Sequence, residues 1–170
     1  MKKPLLVCLA AVVTAVVAVG GYLGFRHLTA PSAPPAGAVS VPYGPDEARS
    51  AASRADDVFH GTVVRETGRR TIAEIPSRLY AVRVGHVFKG HLTGTVTLTQ
   101  PVDEPALEPG GKYVFVTTSW HNEDNEHGLL SGIRPHRAAD LTAPVRGADA
   151  RAEPSVAEYW RDAVAGVSSR

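Results

Sequence analysis

Cysteine is almost missing from this chain of 170 residues, and methionine and tryptophan are nearly so, with one, one and two copies. A single cysteine, Cys8, excludes an internal disulfide framework and any zinc site built from thiolates. Lysine is scarce as well: 14 of the 18 basic side chains are arginine, which with abundant alanine, valine and glycine reads as coding in a GC-rich bacterium. No charge sign dominates, because 18 Lys and Arg face 17 Asp and Glu for a net charge of +1. That balance argues against a general nucleic-acid binder, which carries a basic surplus to neutralise phosphates. A phosphate-cradling glycine loop is lacking, since Gly85, Gly90 and Gly94 do not open a helix after a parallel strand. What is present, 44% hydrophobic and 21% charged residues, is a globular composition. At this length it implies one compact domain with appendages.

Average composition hides residues 5–25, a run of 21 that opens at Leu5, closes at Phe25 and contains no charged side chain. At about 1.5 Å of rise per residue such a helix covers roughly 30 Å, the hydrocarbon thickness of a bilayer. Lys2 and Lys3 precede it and only Arg26 and His27 follow, so the positive-inside bias leaves residues 1–4 in the cytoplasm and the rest outside. The alternative is a cleaved leader, with Ala36-Gly37-Ala38 as the small-residue site and a secreted product. Cys8 then reads as a small apolar residue within the span. With Lys2, Lys3 and Arg26 set aside, 15 basic residues face 17 acidic ones outside, a net charge of −2. Residues 26–45 are rich in proline and alanine and make a stiff, extended spacer.

The outer domain is expected at residues 46–145. Asp46 is a candidate cap for a short helix running through Arg54. Residues 58–64 are rich in β-branched side chains and precede Gly68, which predicts a strand ending in a turn. In residues 79–84, Tyr80, Val82 and Val84 share one face, and Gly85 interrupts as a bulge or bend would. Residues 95–99 alternate, with Val96 and Leu98 inward and threonines outward. Residues 112–117 are apolar on both faces and predict a central strand, and residues 129–133 a short fifth one. Residues 146–170 form a tail whose helix starts near Pro154, with Val156, Trp160, Ala163 and Val164 at helical spacing. The fold class expected is all-β: a small five-stranded antiparallel barrel of the oligomer-binding type with a C-terminal helix, preceded by one transmembrane helix. Its expected core is Val58, Phe59, Val63, Tyr80, Val82, Val84, Val96, Leu98, Tyr113, Val114, Phe115 and Val116.

Three stretches carry a family resemblance: residues 55–63 (Ala-Asp-Asp-Val-Phe-His-Gly-Thr-Val), residues 80–84 running into Val87-Phe88-Lys89-Gly90, and residues 107–115 (Leu-Glu-Pro-Gly-Gly-Lys-Tyr-Val-Phe). They resemble netrin-like modules related to tissue inhibitors of metalloproteinases, and the bacterial proteins similar to these. The resemblance implies a five-stranded barrel exposed outside the cell and engaged in protein contacts. Those inhibitors chelate a protease zinc through an N-terminal cysteine, and this chain has no cysteine after position 8. No inhibitory residue is therefore carried over.

Histidine supplies the only plausible transition-metal ligands. His121 and His127 flank Asn122-Glu123-Asp124-Asn125-Glu126, so His121, Glu123, Asp124 and His127 are the candidate metal set. A solvated acidic hairpin loop accounts for the same residues. Calcium is disfavoured, because the loop lacks the Asp-x-Asp-x-Asp-Gly order. His60, His86 and His91 lie in or beside strands as ordinary hydrogen-bonded residues. Ser119, His121 and Asp124 hold the letters of a hydrolytic triad but stand too close along the chain, and no Gly-x-Ser-x-Gly elbow exists. No catalytic residue and no cofactor are therefore assigned. Trp120 and Trp160 are the candidate partner-binding aromatics, Trp160 with core packing as its alternative. The leading expectation is a non-enzymatic, membrane-anchored interaction module that contacts the membrane through residues 5–25 and a protein outside, with no nucleic acid. The alternatives are a metal-dependent or hydrolytic enzyme using the 121–127 loop, and a secreted inhibitor-like protein.

Overall fold

The structure, a computed structural model, describes residues 39–40, 44–122, 124–146 and 153–167. The 5–25 span with Cys8, most of the spacer and Glu123 lie outside the described residues. The order is β1 (Val39–Ser40), α1 (Pro45–Arg54), β2 (Asp57–Ile72), β3 (Ile75–Lys89), β4 (Thr95–Pro101), β5 (Lys112–Ser119), β6 (Glu126–Leu129), β7 (His136–Arg137), β8 (Val145–Arg146) and α2 (Val156–Ala165). The fold is mostly β, one main sheet with a C-terminal helix.

That sheet runs β2-β3-β4-β6-β5-β7, and β2 also pairs with β5, so the sheet returns on itself through five strands. All its pairings are antiparallel except β4 with β6, which is parallel. The β2–β3 pair is long and repeatedly bulged, with four register shifts, and β2 offers its other edge at Asp57–Thr62 to β5. One of them leaves Gly85 as the extra residue between the pairs His60–His86 and Gly61–Val84, where the sequence placed a bend.

Alternation on β2 and β5 divides the apolar residues into two clusters. Phe59, Val63, Tyr80, Val82, Val96, Leu98, Leu107, Tyr113 and Phe115 fill the inside, with the Phe59 and Phe115 rings 5.2 Å apart. Val58, Val114 and Val116 face outward and are covered by Ala48, Ala51 and Ala52 of α1 and by Val156, Tyr159, Trp160 and Ala163 of α2. This explains why β5 is apolar on both faces. The expected core residues are all buried except Val84, which is partly buried against the inner cluster.

Four local expectations are corrected. The first strand does not stop before Gly68 but continues to Ile72, and the turn falls at Ala73 and Glu74, both at positive φ (45° and 68°). Neither is a residue that announces such a turn. The fifth strand is Glu126–Leu129, inside the supposed loop, because its backbone fills the slot between β4 and β5. Gly44, not Asp46, caps α1; Pro45 opens the helix and Asp46 sits in its first turn, 2.7 Å from Arg49. Ser155 caps α2 in a capping box with Glu158, and Pro154 lies just ahead of the helix.

Candidate functional site

The β5–β6 hairpin, residues 119–127, presents chemistry on two sides. On the outer side, Trp120 is half-buried against Gly128, where a Cβ would come within 3.1 Å of the indole Nε1, a tight contact that a glycine avoids. The Arg70 guanidinium lies 6.0 Å from the Trp120 ring centroid. Arg70 Nη2 also donates to Glu126 Oε2 at 2.6 Å, and Asn122 Nδ2 donates to the same oxygen at 2.6 Å. The Glu126 carboxylate is buried, so these charge-assisted bonds compensate its lost hydration. Asn122 Oδ1 in turn accepts from the Glu126 backbone N–H at 3.0 Å, which braces the turn.

Beside Trp120 the tip of the β2–β3 hairpin, β4 and residues 128–135 line a groove of about 330 Å³. Ile72, Ile75, Trp120, Leu129 and Ile133 give it apolar walls, and Thr99 lies on the sheet beneath. Ile75 is 52% exposed, an unusual position for a large aliphatic side chain. Arg134 and Glu104, both lining residues, face each other at 3.6 Å.

On the inner side, this end of the closed sheet is polar. Asp57 and His127 are buried, at 5% and 1% exposure, with Asp57 Oδ2 and His127 Nδ1 3.2 Å apart. The two groups form a buried acid–imidazole pair. His127 Nε2 meets Asn125 Oδ1 at 3.2 Å. Burial drives the Asp57 carboxyl above the ordinary aspartate range and the His127 imidazole below the ordinary histidine range, each opposed by the attraction of the other. Nearby, Asp56 Oδ2 accepts from the Ser119 backbone N–H at 2.9 Å, and Ser119 Oγ lies 3.4 Å from His121 Nδ1.

The sequence candidates thus separate. His127 is buried with Asp57, whereas His121 and Asp124 are exposed and Glu123 is outside the described residues. Among the described residues no three of His, Cys, Asp or Glu stand together as a ready metal set. No hydrogen bond or ion pair joins Asp124 to Ser119 or His121 among the described residues. Trp120 lines the groove, while Trp160 is fully buried and donates its indole N–H to His136 Nδ1 at 3.3 Å. Burial lowers His136 to about 4. His60 holds the Ala138 carbonyl at 2.9 Å, His86 packs edge-on against Phe88, and His91 is exposed. Asp57 and Arg70 were not singled out from the sequence, because their partners lie far along the chain. One signal was available: Asp57 has the inward phase of Phe59 and Val63, where a charge demands a partner.

Comparison with known proteins finds no matching family model and no curated protein that matches the chain.

Proposed function

We propose that this protein is a membrane-anchored interaction module displayed outside the cytoplasm, built on a five-stranded barrel of the oligomer-binding type and without catalytic activity. The observation that carries the reading is the groove beside Trp120, which has apolar walls and an exposed Ile75 at its rim. In barrels of that type, partners are held on the faces of the second and third strands and by the loops after the first and fourth. Here those elements are β3, β4, the Ala73–Glu74 turn and the Trp120 loop, all of which contribute to the groove. The closed ring of five strands and the bulged first strand support the barrel class and the netrin-like kinship of the scaffold. The charge-free run at residues 5–25 supports the anchor, with residues 1–4 in the cytoplasm.

Two measurements test this. A photoreactive residue at Ile75 or Trp120 in intact cells captures a partner, while one at the exposed Arg161 on α2 does not; equal capture at all three removes the groove from the argument. The protein stays with membranes through alkaline carbonate washing, and its release would overturn the anchor. A second reading, metal-dependent or hydrolytic chemistry at the 121–127 hairpin, draws on one observation, the buried approach of Asp57 to His127.

A further inference from the structure

Beyond the closed ring, one strand edge stands open. β5 accompanies β2 only from Asp57 to Thr62, and Val63 is the last residue of β2 tied on that side, exchanging hydrogen bonds with Gly110 and Gly111 ahead of β5. From Val64 to Ile72 the strand continues with β3 on one side and, among the described residues, no strand on the other. Residues 64–71 are all exposed. An edge of this kind presents a row of backbone N–H and C=O groups to whatever lies beside it. Its last five residues, Gly68–Ile72, pair with β3 without a bulge, so they hold the regular spacing that an added strand needs. At Gly68 an added Cβ would meet nothing within 4 Å, which leaves another backbone free to approach.

The cross-strand register says what kind of side chains such a strand would carry. Residues directly opposite share a face, so Arg69 with Arg78 and Thr71 with Pro76 form one face of the hairpin end, while Arg70 with Ser77 and Ile72 with Ile75 form the other. On the first face two guanidinium-bearing residues stand opposite each other, a like-charge pair that weakens a sheet unless carboxylates answer it. Glu66 reaches Arg69 at 3.0 Å, but both side chains are exposed, where such a pair contributes little. Arg78 has no ion pair among the described residues and donates instead to the Glu104 carbonyl at 3.0 Å. On the second face Arg70 is already neutralised by Glu126, and Ile72 and Ile75 lead into the groove beside Trp120. One face calls for carboxylates and the other for apolar side chains. Charge alone would keep a solitary edge from aggregating; the apolar pair Ile72 and Ile75 beside it points to a partner.

We propose that the open edge of β2 at Gly68–Ile72 receives an extended segment of a partner protein in which acidic and apolar side chains alternate, added to the sheet as a further strand. Its carboxylates lie over Arg69 and Arg78, and its apolar side chains lie over Ile72 and Ile75, next to the groove. Alternation in the added segment matches the two faces, since successive side chains of a strand point to opposite sides. Backbone hydrogen bonds supply the attachment, and the side-chain faces select the sequence. The inference rests on the interaction reading for where the partner sits and adds the chemistry of what is held there.

The test uses the purified full-length chain in detergent micelles and, as probe, a terminally blocked peptide of alternating glutamate and valine. Amide spectra show shifts and slowed hydrogen exchange within Gly68–Ile72 on addition of the probe, with β7 unaffected. Arg69→Glu weakens binding about 10-fold or more by setting like charges against each other. Arg78→Gln weakens it about 3-fold, and Arg161→Gln on α2 leaves it unchanged. Of two probes methylated on alternate backbone nitrogens, one loses binding and the other keeps it, because a single edge of the probe faces β2. Retention by both marks attraction between charges without strand addition and overturns the proposal, as does failure of the probe to bind at millimolar concentration. Protection of the same amides in the free chain that rises with chain concentration overturns it too, by placing a second copy on the edge. Partner capture at Ile75 or Trp120 without probe binding sinks this inference and leaves the interaction reading standing; probe binding without capture does the reverse.

Discussion

The inner and outer faces of β5 bury the same kinds of residue by different means. Inward, Tyr113 and Phe115 meet side chains from strands that the closed ring itself supplies, and the tyrosine hydroxyls are engaged locally: Tyr80 and Tyr113 accept from the Leu107 and Glu108 backbone N–H groups at 3.3 Å. Outward, Val114 and Val116 are covered only because two helices from opposite ends of the domain meet over them. Small alanines let α1 approach closely, and α2 brings two aromatics, Tyr159 and Trp160, the second held by His136. Lys89 adds a tie, donating to the Ala52 and Ala55 carbonyls at the end of α1. The inside is apolar closure. The outside depends on titratable and capping groups, and is the layer that conditions can loosen.

The contrast can be broken at four strengths. The largest effect is expected inside: Phe115→Ala opens a cavity between Phe59 and Tyr113 and costs about 3–5 kcal/mol in denaturant unfolding. A loss under 1 kcal/mol would show that the ring is not a packed core.

Acid addresses the outside. His136 titrates at about 4 when folded and near 6.5 when unfolded, so the unfolded chain binds the proton first. Stability is complete above about pH 6.5 and falls as pH drops toward 4, by about 1.4 kcal/mol per unit and about 3 kcal/mol in all. Protonation also removes the acceptor for Trp160. The lowered His60 acts in the same direction and the raised Asp57 in the opposite one. The readout is therefore the loss of slope in His136→Gln, followed by stability against pH, and an unchanged slope would show that His136 does not control the outer layer.

Smaller still is Ser155→Ala, which removes the cap of α2 and costs about 1 kcal/mol, with the inner cluster unaffected. The smallest effect belongs to the hairpin tip. Ile75→Ser changes stability by less than about 0.5 kcal/mol, because the side chain is half exposed. Its effect should appear instead as lost partner capture at Trp120, and full capture would separate Ile75 from the groove's task.

Much of the inner core was legible because period-two alternation at residues 79–84 and 95–99 fixes which side chains share a face. Trp160 was legible only as one of two possibilities, since helical spacing shows an apolar stripe and not what covers it. The fifth strand was expected too late, at residues 129–133, because Glu126 and His127 are polar letters; what makes them a buried strand is the pair of neighbours at β4 and β5 and the partners Arg70 and Asp57. The hairpin turn at Ala73 and Glu74 was equally silent, since its geometry is imposed by the strands on either side.

By itself the sequence determined what is local: the alternating strands, the helix-forming tail, the lack of internal disulfides and the charge-free run at residues 5–25. The tertiary structure decided which distant residues share a site. Asp57 meets His127 and Arg70 meets Glu126 because closure of the sheet brings separate strands together, and the cost of burying a charge then selects the pairs that remain. Alternation along a strand states which way a side chain points, but only closure states what it finds there.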